Sequence, residues 1–476
     1  MANKRFSARA IAERFDKMYE FDRERVTEDK FLSGGKFAAF FAGEHVAATE
    51  FVIGPMFVLH GISAIDLFLG LLIGNLLAVL SWTFICAPIA VRVRLTLYWY
   101  LRKICGPGLT AIYNIANAFL YCILAGAMIS VSATAIGLAF KVPCPALTDV
   151  LPNSVGWVVI TLCVGAVVTL FAILGFEKVS QFSSVCVPWL FTVFIGGAIV
   201  LLPRLGNISR LADFWHIAQT KIWTGIPEPG QDKFTIWHII FFAWFCNLAM
   251  HVDLSDMATL RYAKKWTYGL YSAFGMYPGH YLAWICSGIM VAAVARKMDP
   301  GLMAYTAAGL AGAVAVVTAG WTTANPTMYR AGLALQVVTP NWTRWKVTLV
   351  AGTVTTILSC FPVFFLRLLD FVAIYGLILM PIGAVVLVEH WIFPRIGLRQ
   401  YWAEKSGQLV NVPAAATWVL TLGLCWLLLR VHVIPHLFFL WLPGYFIALI
   451  LYMVLASLFG ARAPVEYRTG FAEEKA

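Results

Sequence analysis

Charge is scarce in this sequence. Asp, Glu, Lys and Arg make up 12% of its 476 residues, about half the ~25% usual in a soluble domain. Hydrophobic residues reach 61%, and the mean hydropathy is +0.79. So few ions cannot cover that much apolar surface in water. An ordinary cytosolic enzyme, a coiled coil and a disordered chain are thereby excluded. The ten cysteines form no CxxC pair, and most sit inside apolar runs. They read as buried small hydrophobes, not as a disulfide scaffold. Patterns of the types GxSxG, HExxH and GxxxxGK[ST] are missing as well. No enzymatic role and no resident cofactor are expected, and any transport has to draw on an ion gradient instead of ATP hydrolysed by this chain. The first 36 residues form a polar, basic arm without an apolar core (Lys4, Arg5, Arg9, Arg14, Lys17, Arg23, Arg25, Lys30, Lys36). A cleavable signal peptide is therefore not expected.

Long continuous apolar runs are what the sequence does have. A porin-type barrel would alternate polar and apolar residues within ~10-residue strands. Runs of ~20 apolar residues predict spanning helices. Twelve are expected, near 38–60, 62–90, 107–140, 155–175, 183–203, 235–254, 268–295, 302–324, 345–365, 370–393, 413–430 and 437–459. An even number puts both termini on one side. Most Lys and Arg fall on the side of the arm, which makes that side cytoplasmic and the bilayer the cell (inner) membrane. The net charge of +11 thus follows topology and implies no nucleic acid. The chain divides into the arm (1–36), a ten-helix core (37–395), two additional helices (396–460) and a cytoplasmic tail (461–476). The longest external connection, about 204–234, contains Pro227-Glu228-Pro229-Gly230.

Polar residues inside spans mark the candidate site, because an ionisable group there is costly unless it faces a cavity or a partner. Span one carries Glu44, His45, Thr49 and Glu50; span six carries Asn247, His251, Asp253, Ser255 and Asp256 after Trp244. Both stretches suggest interrupted helices, whose free carbonyls and N–H groups can bind a solute and a cation. Spans one and six are also the first members of each half in a five-plus-five inverted repeat. The bland alternatives are that the span-one acids cap a short helix, and that Asp253 and Asp256 pair with Arg261, Lys264 and Lys265. His45 and His251 read as structural groups or as proton relays. Span eight is expected to end in Thr322-Thr323-Ala324-Asn325-Pro326. Adjacent hydroxyls beside a helix-breaking Asn-Pro suit Na⁺, unless the hydroxyls bond back to their own helix. Trp82, Trp99 and Trp391 read as interfacial aromatics. Trp244 lies in the interruption zone, where an indole can stack on a flat heterocycle or a cation.

Four stretches carry a resemblance. They are Gly74-Asn75-Leu76-Leu77 in span two, and Trp244 through Arg261-Tyr262-Ala263-Lys264 in span six. The others are Thr322 to Tyr329 with Leu333 and Gln336, and Pro381-Ile382-Gly383-Ala384 to Glu389-His390-Trp391. In this order and spacing, over roughly residues 35–395, the chain resembles the nucleobase–cation symporters: purine–cytosine permeases, hydantoin transporters, and allantoin or uracil permeases. The resemblance implies an all-α, leucine-transporter-type fold, five-plus-five inverted repeat plus two extra helices. It implies a flat heterocycle held between spans one, three, six and eight. Trp244 and Tyr121 would stack on it. Thr322 and Thr323 would hold sodium together with span-one carbonyls near Glu44–Ala48. The chain departs from the family at Ala125, where hydantoin transporters have a substrate-bonding glutamine, and at Asp256, where an arginine is expected.

The expected function is cation-coupled symport of a nucleobase or related small nitrogen heterocycle by alternating access. Substrate-binding candidates are Trp244, Tyr121, Asn247, Asn325, Glu50 and Glu44. Glu44, Glu50 and Asp253 are the coupling candidates if H⁺ replaces Na⁺. The alternatives are a transporter of an amine, amino acid or vitamin-like solute, and a membrane sensor or scaffold that binds without flux.

Overall fold

The computed structural model describes residues 20–145, 149–294, 300–339, 341–363, 368–434 and 437–462. Lys4, Arg5, Arg9, Arg14 and Lys17 of the arm, and the tail from 463 onward, lie outside the described residues. The described chain is helical, with two isolated bridges, Leu32 with Ala263 and Ser63 with Thr224.

Among the described residues, eight helices are long and apolar enough to cross a membrane. The chain is a multi-pass membrane protein. The passes are compatible with the expected twelve. Span two is Ala64–Val93, span four Val155–Ile173, span five Phe176–Arg204, span ten Phe371–Ile396, span eleven Val412–Arg430 and span twelve Leu437–Leu458. Span nine is the shorter Arg344–Ser359. Span seven passes from a 3₁₀ segment, Trp266–Ser272, through π-helical turns at Gly275–Leu282 into Ala283–Val294. Ser63, Ser154 and Asn411 cap spans two, four and eleven by accepting from Asp66 N, Trp157 N and Ala414 N, satisfying amides that a helix start leaves open.

Span three lies in the helix Leu97–Ala139, which turns sharply at Gly106 (φ 75°) before Pro107. A Cβ at Gly106 would stand 2.6 Å from the carbonyl oxygen of Gln408. Both the left-handed backbone and the close approach of the loop after span ten require glycine there.

Spans one and six are broken. Span one consists of Gly34–His45 and Glu50–Leu59, with Val46 out of helical geometry between them. Span six consists of Ile236–Phe245, a turn Leu248–His251 and a turn Met257–Leu260. Leu254, between the last two, has φ 71°. The first half of span one packs on span five and its second half on span seven. The first half of span six packs on span two.

Span eight departs from its expected limits. Pro300–Val338 is non-helical at Ala308 and Gly309, and the long helix runs from there to Val338. The expected end at Asn325-Pro326 is thus the middle of the span. Pro326 removes one amide from the helix without ending it, because packing along span three holds both flanks.

Candidate functional site

The two breaks face each other across Arg330, a span-eight residue that reads in the sequence as part of the loop beyond the helix. Arg330 is completely buried. Its Nη1 donates to Glu44 Oε1, and its Nη2 donates to Glu44 Oε2 at 3.0 Å and to Asp256 Oδ1. The indole N–H of Trp82 donates to Asp256 Oδ2 at 2.6 Å. One guanidinium thus joins spans one, six and eight through two carboxylates, a geometry that its planar fork suits.

Several expectations change here. Trp82 is not interfacial; it is buried beside the carboxylate it bonds. Asp256 pairs with Arg330, not with Arg261 or the exposed Lys264 and Lys265. Arg261 instead donates to the carbonyl oxygens of Glu20 and Phe21. The Glu20 carboxylate accepts from Tyr329 Oη at 2.9 Å, from Tyr262 Oη at 3.0 Å and from Phe176 N at 3.2 Å. Residues 20–23 therefore lie across the ends of spans five, six and eight, below the triad. A spacing signal for Arg330 existed: it stands seven residues after Thr323, two helical turns along the same face.

On the other side of Glu44 lies a cavity of about 70 Å³ lined by Glu44, Glu50, Asn247, His280, Thr323 and Tyr375, with further apolar residues. That is room for several waters, each needing ~10–15 Å³. Its apolar wall includes Phe242 and Phe245 of span six, and Phe438 and Trp441 of span twelve. Span twelve is thus part of the cavity wall.

Glu50 stands apart from the triad. Its Oε2 accepts from the Trp284 indole, and its Oε1 accepts from Thr49 Oγ1 at 3.2 Å and lies 3.9 Å from His280 Nε2. Among the described residues no Lys or Arg pairs with it. His280 stacks on Trp284 at 4.3 Å and lies 5.1 Å from the His45 ring. His45 Nδ1 bonds Phe41 O at 2.7 Å and His251 Nε2 bonds Trp244 O at 2.9 Å, each tying a ring to local backbone.

The expected stacking residues sit one layer behind the cavity wall. Trp244 donates to Ser81 Oγ at 2.9 Å and stacks on Phe245 at 4.6 Å. Tyr121 packs edge-on against Tyr375 at 5.4 Å. The wall positions belong to Phe245 and Tyr375 because Trp244 lies on the face of its helix turned toward span two. Asn247 lines the cavity with its amide nitrogen unpartnered, whereas Asn325 is buried outside it with both amide atoms unpartnered.

Thr323 Oγ1 donates to Glu44 O at 3.2 Å and to Ala319 O at 3.1 Å, and Thr322 Oγ1 donates to Ala319 O at 3.1 Å. Both hydroxyls do bond back to their own helix, and one also reaches the broken end of span one. Two carbonyls and two hydroxyls gathered in this way are hard oxygen donors of the kind that suits Na⁺.

No protein-family model matches the chain, and no curated protein matches it. Solved structures do. A structure of Mhp1, a nucleobase-cation-symport-1 family transporter, in a closed conformation with bromovinylhydantoin bound, superposes with a TM-score of 0.71. It has 14% identity over 95% of this chain and 98% of that one. An inward-facing conformation of Mhp1 gives 0.69 at 15% identity, over 91% and 92% of the two chains. A substrate-bound, outward-open Na⁺-coupled sialic acid symporter gives 0.66 at 12% identity, over 94% and 96%. The all-α, five-plus-five inverted repeat with two further helices, expected from the resemblance, is the fold of this chain.

Proposed function

We propose that the chain is a secondary active transporter that couples uptake of a nucleobase or related small nitrogen heterocycle to a cation. The observation that carries this reading is the meeting of two broken helices at a buried cavity, with Thr323 bridging span eight to the broken end of span one. Half-helix ends and free carbonyls at mid-membrane depth are how such folds hold solute and ion. In this reading Thr322, Thr323, Ala319 O and Glu44 O hold Na⁺. Asn247 bonds the heterocycle, with Asn325 as a further amide. Phe245 and Tyr375 present flat faces to it, backed by Trp244 and Tyr121. The Glu44 side chain is committed to Arg330, so its contribution is its carbonyl. The membrane is the cell's inner membrane, both termini are cytoplasmic, 37–395 is the transporter core, 396–460 adds two helices and the segment from 461 is a tail.

A second reading rests on Glu50. A carboxyl that lines the cavity without a basic partner suits an amine-bearing solute, whose ammonium would supply the missing charge.

Thermal unfolding of the purified protein tests both. A ligand at 100 times its Kd stabilises by about 2.7 kcal/mol. Cytosine, uracil, adenine, hypoxanthine or allantoin is expected to raise the unfolding temperature in Na⁺ but not in choline. Thr323→Ala is expected to abolish the Na⁺ requirement along with most of the shift. A rise with a polyamine alone, lost in Glu50→Gln, selects the second reading.

A further inference from the structure

Asp253 lies in the unwound stretch between the turns Leu248–His251 and Met257–Leu260, next to Leu254 in left-handed backbone. It is completely buried, and neither carboxyl oxygen has a hydrogen-bond partner. It does not line the cavity around Glu50. On one side it backs onto span ten: a Cβ at Gly383 would stand 2.9 Å from Asp253 Oδ1 and 2.6 Å from its Cα. That contact closes the span-ten side of Oδ1.

Tyr113 of span three and Tyr445 of span twelve lie within electrostatic reach of Asp253, and Cys86 of span two within reach of Tyr445. His251 and Asp256 flank Asp253 in its own segment, the first bonded to Trp244 O and the second to Arg330. The Tyr445 hydroxyl is itself unpartnered, and Tyr113 accepts only from Asn117 Nδ2 at 3.4 Å. Among the described residues no Lys or Arg pairs with Asp253; Arg330 is held by Glu44 and Asp256, and Arg261 by the backbone of Glu20 and Phe21. An ionised Asp253 would thus be a buried charge without compensation, which costs several kcal/mol. A proton removes that charge and needs no added space.

We infer that Asp253 is a proton-binding site distinct from the cavity, loaded in this state and emptied when the unwound stretch of span six opens to water. On opening, the carboxyl O–H bond breaks, the proton passes to water, and a hydrated carboxylate is left. The stretch is wound wider than an α-helix, with Asp253 N bonded to Leu248 O, Ser255 N to Ala249 O and Asp256 N to Met250 O, and such a break in a span is where a transporter fold exposes its midplane groups. The transport role of this proton rests on the transporter reading above; its presence on Asp253 does not.

Infrared difference spectroscopy of the full chain in lipid nanodiscs, wild type minus Asp253→Asn, tests the site at neutral pH. A protonated-carboxyl C=O band that shifts in D₂O is expected in wild type and absent from the variant. Gly383→Ala, which crowds Oδ1, is expected to shift the same band without removing it. Carboxylate bands alone in the difference spectrum would overturn the inference. In proteoliposomes, Asp253→Asn is expected to keep exchange of labelled cytosine or uracil and to lose its acceleration by an inward pH gradient. An unchanged response to the gradient would also overturn the inference. If wild type shows the band but moves no base, the proton site stands and the transporter reading fails.

Discussion

Arg330→Met is expected to leave little folded protein. The substitution keeps a long apolar side chain but strands the Glu44 and Asp256 carboxylates, both buried, without their common partner. Breaking a buried ion pair from one side costs about 3–5 kcal/mol, a large part of the ~5–15 kcal/mol that usually separates folded from unfolded protein. Arg330→Lys is expected to recover little, because one ammonium cannot reproduce the forked contact with two carboxylates. The triple variant Arg330→Met, Glu44→Gln, Asp256→Asn removes every charge together and is expected to regain a monodisperse folded peak, since replacing a whole buried ionic group is often near neutral. Gel filtration and unfolding temperature in mild detergent measure all three. A single Arg330→Met variant as stable as wild type would show that the triad does not hold the broken helices.

Arg261→Ala is expected to open the face on which residues 20–23 lie. Arg261 ties the ends of span six to the backbone of residues 20 and 21, while Tyr262 and Tyr329 hold the Glu20 carboxylate. Arg23 adds bonds of 3.0 Å to the carbonyls of Gln336 and Thr339, at the end of span eight. Hydrogen bonds to charged groups contribute about 1.5–3 kcal/mol each. Losing two shifts the balance between closed and open forms by tenfold or more, at roughly 1.4 kcal/mol per decade. Cys246 lines the cavity above this closure and reports the change. With the other cysteines replaced, its modification by a membrane-impermeant maleimide applied from the side of residues 20–23 is expected to accelerate about tenfold in Arg261→Ala. An unchanged rate would mean that residues 20–23 merely rest on the helix bundle.

The limits of most spans were legible in the sequence because long apolar runs carry their own signal. The breaks were legible for the opposite reason: Glu44, Glu50, Asn247 and Asp253 interrupt such runs, and acids at that depth demand an explanation. Span eight was misplaced because Pro300–Ala307 is apolar enough to pass for its start, and the turn at Ala308 and Gly309 leaves no trace in hydropathy. Limits drawn from hydropathy leave Arg330 outside the membrane, and with it the partner of Glu44 and Asp256. Trp82 was read by residue type, and indoles favour interfaces; only the fold shows Asp256 beside it. Trp244 was placed by motif, which gives the turn of helix but not which neighbour occupies its face. The contribution of Phe438 and Trp441 to the cavity had no local signal, since it depends on how span twelve packs against spans six and ten.

Uptake into proteoliposomes tests the transporter reading most directly. Cytosine, uracil, adenine, hypoxanthine, allantoin and a polyamine would each be offered under an inward Na⁺ gradient and under a proton gradient alone. The expected result is concentrative uptake of at least one heterocycle that requires the Na⁺ gradient and disappears in Thr323→Ala. Uptake of the polyamine alone would move the substrate class to amines and the recognition to Glu50. No uptake of any solute under either gradient, by protein that still binds a base, would contradict transport and leave a sensor or scaffold built on a transporter fold.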